Sequence, residues 1–268
     1  MRNKGIAKIK TKKSLGQHWL FDKPTLQTIV DTADINADDT VLEIGPGRGS
    51  LTELLTQKAK QVVAIEKDVD LIAGLRTIFA LQRNVEIIED DILGFNLTKL
   101  PKDYKVVANI PYYLTSALIR TLLESTNPPS LMTLLIQKEV AESIVAPPGK
   151  LSVLAISVQL YARPQIISIV TKDKFHPPPK VDSAIINIIR RSKPVIEVDP
   201  DKFMRLVKAG FSQKRKTLRN SLSGGLHISG AEAEALLTSA KIAFTTRAQE
   251  LNISQWKNLY DQFVTKYS

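Results

Sequence analysis

The densest chemistry in the chain is Glu43-Ile-Gly45-Pro-Gly47-Arg-Gly49, three alternating glycines preceded by an acid. Glycines at the end of a strand let the backbone pass beneath a ligand without Cβ interference, and a helix starting just beyond adds oriented amides. A tight strand-to-helix connection needs the same glycines, so the turn alone does not declare a ligand. Glu66 sharpens it. In Val62-Val-Ala-Ile-Glu66 it closes the next apolar run about 20 residues on, where doubly wound folds grip a ribose hydroxyl pair with an acid. An adenosine-bearing ligand is implied. Dinucleotide sites favour G-x-G-x-x-G, whereas the spacing here is G-x-G-x-G, and Glu43 would repel a pyrophosphate but attract a sulfonium and an amino group. That favours S-adenosylmethionine, held by Glu43, Gly45, Gly47 and Glu66. Asp90 and Asp91 follow a third apolar run, placed either to accept from the adenine amine of that ligand or to cap a helix.

The second chemical stretch is Asn109-Ile-Pro-Tyr-Tyr113, after a fourth apolar run, at the sheet edge where open α/β proteins place their chemistry. Alone, Asn-x-Pro is also simply a turn. Beside a methyl-donor site it points to amine methylation. An exocyclic adenine amine is a poor nucleophile because its lone pair is conjugated into the ring. Acceptors at the Asn109 side chain and at the Ile110 or Pro111 carbonyl would draw the nitrogen toward a tetrahedral geometry. Pro111 would stiffen the loop and Tyr112 would stack on the base, so catalysis would come from positioning and electrostatics rather than a strong base.

Several elements must hold these groups. Helical periodicity with a proline in the first turn predicts a helix over 23–33. Strands are expected at 40–44, 61–65, 85–88, 105–108 and 131–137, alternating with helices at 51–58, 69–81, 116–124 and 139–146. That alternation predicts a parallel sheet covered on both faces. Residues 151–160 and 185–190 read as later strands of the same sheet. Beyond 199 the pattern is all helical, at 201–210, 214–222, 231–240 and 254–265. The expected organisation is a basic arm over 1–21, a methyltransferase domain over 22–193 and a helical RNA-recognition domain over 194–268.

Charge supplies the other clue. The chain has 37 Lys+Arg against 27 Asp+Glu, net +10. Residues 1–21 and 205–220 each carry six basic side chains and no acid; without these twelve, 25 basic side chains face 27 acidic ones. The whole surplus thus sits in two short patches, as a polyanion-binding surface requires, although a single patch could be only a solvated face. The absence of cysteine and the wide spacing of His18, His176 and His227 argue against disulfides and metal. No uninterrupted apolar run reaches membrane-spanning length, and the basic start lacks the apolar core of a secretory signal, so a cytoplasmic protein is expected.

These motifs, with Ser14-Leu-Gly-Gln-His-Trp-Leu20, Phe175-His-Pro-Pro-Pro-Lys-Val-Asp-Ser183 and Phe211-Ser-Gln-Lys-Arg-Lys-Thr-Leu-Arg-Asn220, make the chain resemble the ribosomal RNA adenine dimethyltransferase family over nearly its whole length. The resemblance implies a class I (Rossmann-like) methyltransferase sheet with a small helical domain, transferring two methyl groups to one adenine amine. It implies donor contacts at His18, Leu20, Gly45, Glu66, Asp91 and Asn109, and Phe175 facing Tyr112 to sandwich a base taken out of its stack. Without the family, 175–179 would read as a rigid linker. The 211–220 motif looks like the housekeeping branch, which modifies two adjacent adenines near the 3′ end of 16S rRNA in an immature small subunit and whose loss is linked to kasugamycin resistance. The macrolide-resistance branch, acting on large-subunit rRNA, is the nearest alternative; a non-catalytic assembly factor and a nicotinamide dehydrogenase are further ones. His18-Trp19 stands where the family often has Asn-Phe, and Tyr113 where it often has Asn. RNA contacts are expected at Lys12, Lys13, Lys214, Arg215, Lys216 and Arg219, on a monomer.

Overall fold

The computed structural model describes Lys12, residues 16–213 and residues 215–267. In chain order the strands and α-helices are β1 (Trp19–Leu20), α1 (Lys23–Thr32), β2 (Thr40–Ile44), α2 (Ser50–Leu55), β3 (Gln61–Glu66), α3 (Val69–Ile78), β4 (Val85–Glu89), β5 (Lys105–Asn109), α4 (Thr115–Glu124), β6 (Leu131–Gln137), α5 (Lys138–Ile144), α6 (Val153–Tyr161), β7 (Ala162–Val170), β8 (Phe175–His176), β9 (Ser183–Arg190), α7 (Pro200–Gly210), α8 (Leu218–Leu226), α9 (Gly230–Ser239) and α10 (Ile253–Tyr267).

Local signals explain the starts. Asp22 caps α1 by accepting from the Thr25 N–H, with Pro24 in the first turn, where its missing N–H costs nothing. Leu26, Ile29 and Val30 turn the buried face of that helix inward. All five residues of β2 are buried, as a strand covered on both faces must be.

The main sheet has the order β4-β3-β2-β5-β6-β9-β7. β2, β3, β4, β5 and β6 pair in parallel. The order reverses between β2 and β5, so their carboxyl ends, Ile44 and Asn109, open side by side onto the crevice where such sheets bind ligands. A separate two-stranded ribbon joins β1 to β8, with Trp19 opposite His176 and Leu20 opposite Phe175.

The chain forms two compact units. One runs through Ala141 and resumes at Arg163–Arg190; the other comprises Glu142–Ala162 and the described residues from Arg191 onward. Three expectations change as a result. First, the end of the basic arm expected over 1–21 joins the sheet unit: β1 is annealed to β8, and Leu20 is buried there. Secondly, 151–160 is not a strand but contains α6, capped by Ser152 accepting from the Ala155 N–H. It packs Ala155, Ile156 and Leu160 against Phe203, Leu206 and Trp256 in the helical core, so in place of the expected single boundary at 193 the chain passes between the units three times, after Ala141, Ala162 and Arg190. Thirdly, β9 runs antiparallel to β6, and β7, which the sequence reading lacks, lies beyond it. α8 begins four residues later than expected, leaving Arg215 and Lys216 exposed in the preceding turn.

Candidate active site

At the reversal point a cleft enclosing about 970 Å³, open solvent included, is lined by the ends of β2, β3 and β5 and by the segment leading into β1. Gly45, with φ of 66°, has nothing within 4 Å of where a Cβ would stand, so the turn leaves free space beside its backbone. Gly49 is required for another reason: at φ of 80°, a Cβ would come within 2.7 Å of the Phe79 ring.

Glu66 ties the turn to the next strand. Its Oε2 accepts from the Gly47 N–H at 3.2 Å and its Oε1 from the Asp68 N–H at 2.8 Å. Burial pushes this carboxyl above the usual carboxylate range, against the pull of those backbone bonds. Asp91 also lines the cleft, accepting from the Leu93 N–H at 3.1 Å and pairing with Lys67 at 2.7 Å. Hydrogen bonding from Lys67 holds that carboxyl below its usual value. Ile65, Leu71, Ile92 and Leu93 supply apolar walls suited to a flat heterocycle.

Glu43 lies behind the glycine turn, in an adjoining recess that shares Trp19, Gly45, Gly47 and Asn109 with the cleft. It is 1% exposed, its Oε2 has no hydrogen-bond partner among the described residues, and burial raises its carboxyl to about 8. A buried acceptor left without a donor, beside a space lined by glycine backbone, fits the cationic amino acid portion of S-adenosylmethionine.

At the opposite wall, the Asn109 side chain donates through Nδ2 to the His18 carbonyl at 3.1 Å. With its nitrogen so committed, its oxygen is kept for an incoming donor. The Pro111 carbonyl is taken by the Leu114 N–H in the following turn, so of the two candidate backbone acceptors Ile110 is the one without a backbone donor among the described residues. Tyr112 is half-buried, its hydroxyl 2.8 Å from Ser183 Oγ, and its ring stacks on His18 with centroids 5.9 Å apart. His18 Nδ1 lies 2.8 Å from the Pro177 carbonyl.

The cleft therefore brings together His18, Gly45, Gly47, Glu66, Asp90, Asp91, Asn109, Ile110, Pro111 and Tyr112, while Glu43 and Leu20 line the adjoining recess. Phe175 departs from expectation. It is 4% exposed, packed beside Leu20 and Val170 in the core, and it does not line the cleft. Pairing in the β1–β8 ribbon turns Phe175 inward and His176 outward, so the ring stacked on Tyr112 is His18. Lys12 is engaged by Asp68 and Asp70, and Arg219 by Glu234 at 2.5 Å. Arg215 and Lys216 are exposed, while Lys13 and Lys214 lie outside the described residues.

The sequence reading gives no role to Lys67 or Asp68, and names Trp19 and Tyr113 only as departures from the family's usual residues. Trp19 carries the Arg48 guanidinium at 3.7 Å on its ring and lies against Gly47. Lys67 and Asp68 follow Glu66 directly, and their position at a strand end was the available signal.

A glycine turn latched by a strand-end acid, at the switch point of a largely parallel sheet, defines a Rossmann-like S-adenosylmethionine-dependent methyltransferase. The family described as ribosomal RNA adenine dimethylase matches residues 8–264. The chain belongs to that family. It is 43% identical over 255 residues to Ribosomal RNA small subunit methyltransferase A of Dehalococcoides mccartyi strain CBDB1, covering 94% of this chain and 88% of the relative. The protein of the same name from Latilactobacillus sakei is 42% identical, with 97% and 93% covered. Among solved structures, a dimethyladenosine transferase from Plasmodium falciparum matches with a TM-score of 0.78 at 28% identity, covering 93% of this chain and 98% of that one. The 23S rRNA methyltransferase ErmE matches with 0.71 at 29% identity, covering 91% and 98%.

Proposed function

We propose that the protein transfers two methyl groups to the exocyclic amine of each of two adjacent adenines near the 3′ end of 16S rRNA, acting as a cytoplasmic monomer on an immature small ribosomal subunit. The carrying observation is Asn109, whose amide nitrogen is committed to the His18 carbonyl and whose oxygen is thereby left for an amine. Identity of 43% to a small-subunit methyltransferase, against 29% to a 23S enzyme, supports the small-subunit reading over the macrolide-resistance one.

When bound, S-adenosylmethionine supplies an electrophilic methyl on sulfonium. Glu66 would hold its ribose, Asp91 with the walls at Ile92 and Leu93 its adenine, and Glu43 its amino group. Asn109 and the Ile110 carbonyl accept the two N–H groups of the target amine, turning its lone pair toward the methyl carbon. Tyr112 stacks on the extruded base. With the donor bound, the methyl would pass from sulfonium to the amine nitrogen, leaving the thioether, and the amine proton would be lost to solvent. The basic turn before α8, with Arg215 and Lys216, would contact rRNA phosphates.

Mass analysis of 16S rRNA, from subunits lacking the modification, before and after incubation with the protein tests this reading. The expected gain is four methyl groups on two adjacent adenines, with Asn109→Ala slowed by about a hundredfold or more, the scale of losing one positioned polar contact in a transition state. Full activity in that variant would remove the proposed amine contact, and methylation only of 23S rRNA would overturn the substrate.

A further inference from the structure

Asp68 has a side chain with no exposed surface, and two residues from the far N-terminal side converge on it. Lys12 Nζ reaches its Oδ1 at 2.6 Å, and Gln17 Nε2 donates to its Oδ2 at 2.6 Å. Gln17 is a crosspiece, because its own Oε1 accepts from the Lys12 N–H at 2.8 Å. Lys12 also pairs with Asp70 at 2.6 Å. The segment fastened in this way includes Gly16, Gln17, His18 and Trp19, all of which line the cleft. His18 holds Asn109, and the Asp68 N–H holds Glu66.

From this geometry we infer that Asp68 is a positioning residue that fastens a strap, Lys12 with Gly16–His18, across the donor cleft, and so sets how fast donor and spent donor exchange. The cleft wall supplied by 16–19 has no place in the main sheet; beyond the short β1–β8 ribbon and the contact of Trp19 with Gly47 and Arg48, the Asp68 cluster ties it to the start of α3. A hydrogen-bonded charge pair with one member fully enclosed governs dissociation more than association. With Lys12 partly exposed, the fastening is also open to screening by salt. The inference rests on the donor reading above and adds a rate-setting part to it.

The test uses the full chain without RNA. Binding of S-adenosylhomocysteine is followed by calorimetry, and its dissociation by stopped-flow displacement read on tryptophan fluorescence, Trp19 being in the cleft wall. Asp68→Asn keeps the size of the side chain and its capacity to cap α3 while removing the charge. It is expected to speed dissociation about tenfold, the effect of roughly 1.4 kcal/mol, and, in a separate turnover assay with 16S rRNA as acceptor, to raise the donor KM without lowering kcat at saturating donor. Lys12→Met, at a side chain 37% exposed, should do the same more weakly and should abolish the acceleration by salt that the wild type is expected to show. Because that position tolerates substitution without burying anything, it keeps the test valid if Asp68→Asn folds poorly. Wild-type protein that bound no S-adenosylhomocysteine would overturn the donor reading and this inference together. Normal wild-type binding with unchanged dissociation in the variants would overturn this inference alone.

Discussion

Glu43 shows how one side chain can carry a cost for the sake of a site. Near neutral pH its carboxyl, raised to about 8 by burial and by the neighbouring Glu66 charge, keeps a proton that the unfolded chain would release. The sign follows directly. A folded pKa above the unfolded one means stability is fully present below the unfolded value of 4.5 and is lost as pH rises toward about 8. Glu43→Gln cannot ionise, so relative to wild type it should become progressively more stable between those limits, by on the order of a few kcal/mol. Urea denaturation of both proteins without donor, at pH 5.5, 7 and 8.5, measures this. Parallel stability curves would show that the carboxyl does not titrate as its surroundings require.

At the scale of elements, the helix α6 is held at its start by a single hydroxyl. Ser152 accepts from the Ala155 N–H at 3.1 Å and lies 2.9 Å from Ser143 Oγ. Ser152→Ala should therefore cost about 1 kcal/mol, visible in a denaturation midpoint, with donor affinity unchanged because the serine is not among the residues that line the cleft; no shift would mean that packing alone holds the helix. The same serine was the legible sign that 151–160 begins a helix. It was outweighed because the run is apolar all round, and neither period 2 nor 3.6 separates a buried strand from a buried helix. The β2–β6 strands were legible because each is a short apolar run ended by turn residues, and a parallel sheet then fixes which ends meet. That is why the cleft residues at Gly45, Glu66 and Asn109 could be read before any fold was known. The direction of β9 could not, since one strand's composition is the same whichever way its partner runs. Nor could the β1–β8 ribbon, whose two-residue strands have no periodicity and pair across more than 150 positions of chain. Phe175 was misplaced for that reason: only the ribbon decides that it turns inward while His18 meets Tyr112.

Over the whole molecule, the structure redistributes the surplus charge that the composition revealed. Of the cations expected to face RNA, Lys12 is engaged by Asp68 and Asp70, and Arg219 by Glu234, so each has an internal partner to give up before it could meet a phosphate. Arg215 and Lys216 remain exposed in the turn before α8, and Arg205 and Lys208 are exposed on α7 within the same helical unit. A phosphate contact releases a condensed counterion, so each one lost should flatten the dependence of log affinity on log salt by a little under one unit. Arg215→Glu with Lys216→Glu should therefore weaken rRNA binding most at low salt and lower that slope by about one to two. S-adenosylhomocysteine binding should be untouched, because the donor cleft is lined entirely by the sheet unit. Filter binding across a salt series, paired with calorimetry for the cofactor, separates the two outcomes. An unchanged slope would assign phosphate recognition to other cations. A simultaneous loss of cofactor binding would mean that the substitutions act by damaging the fold rather than by removing contacts.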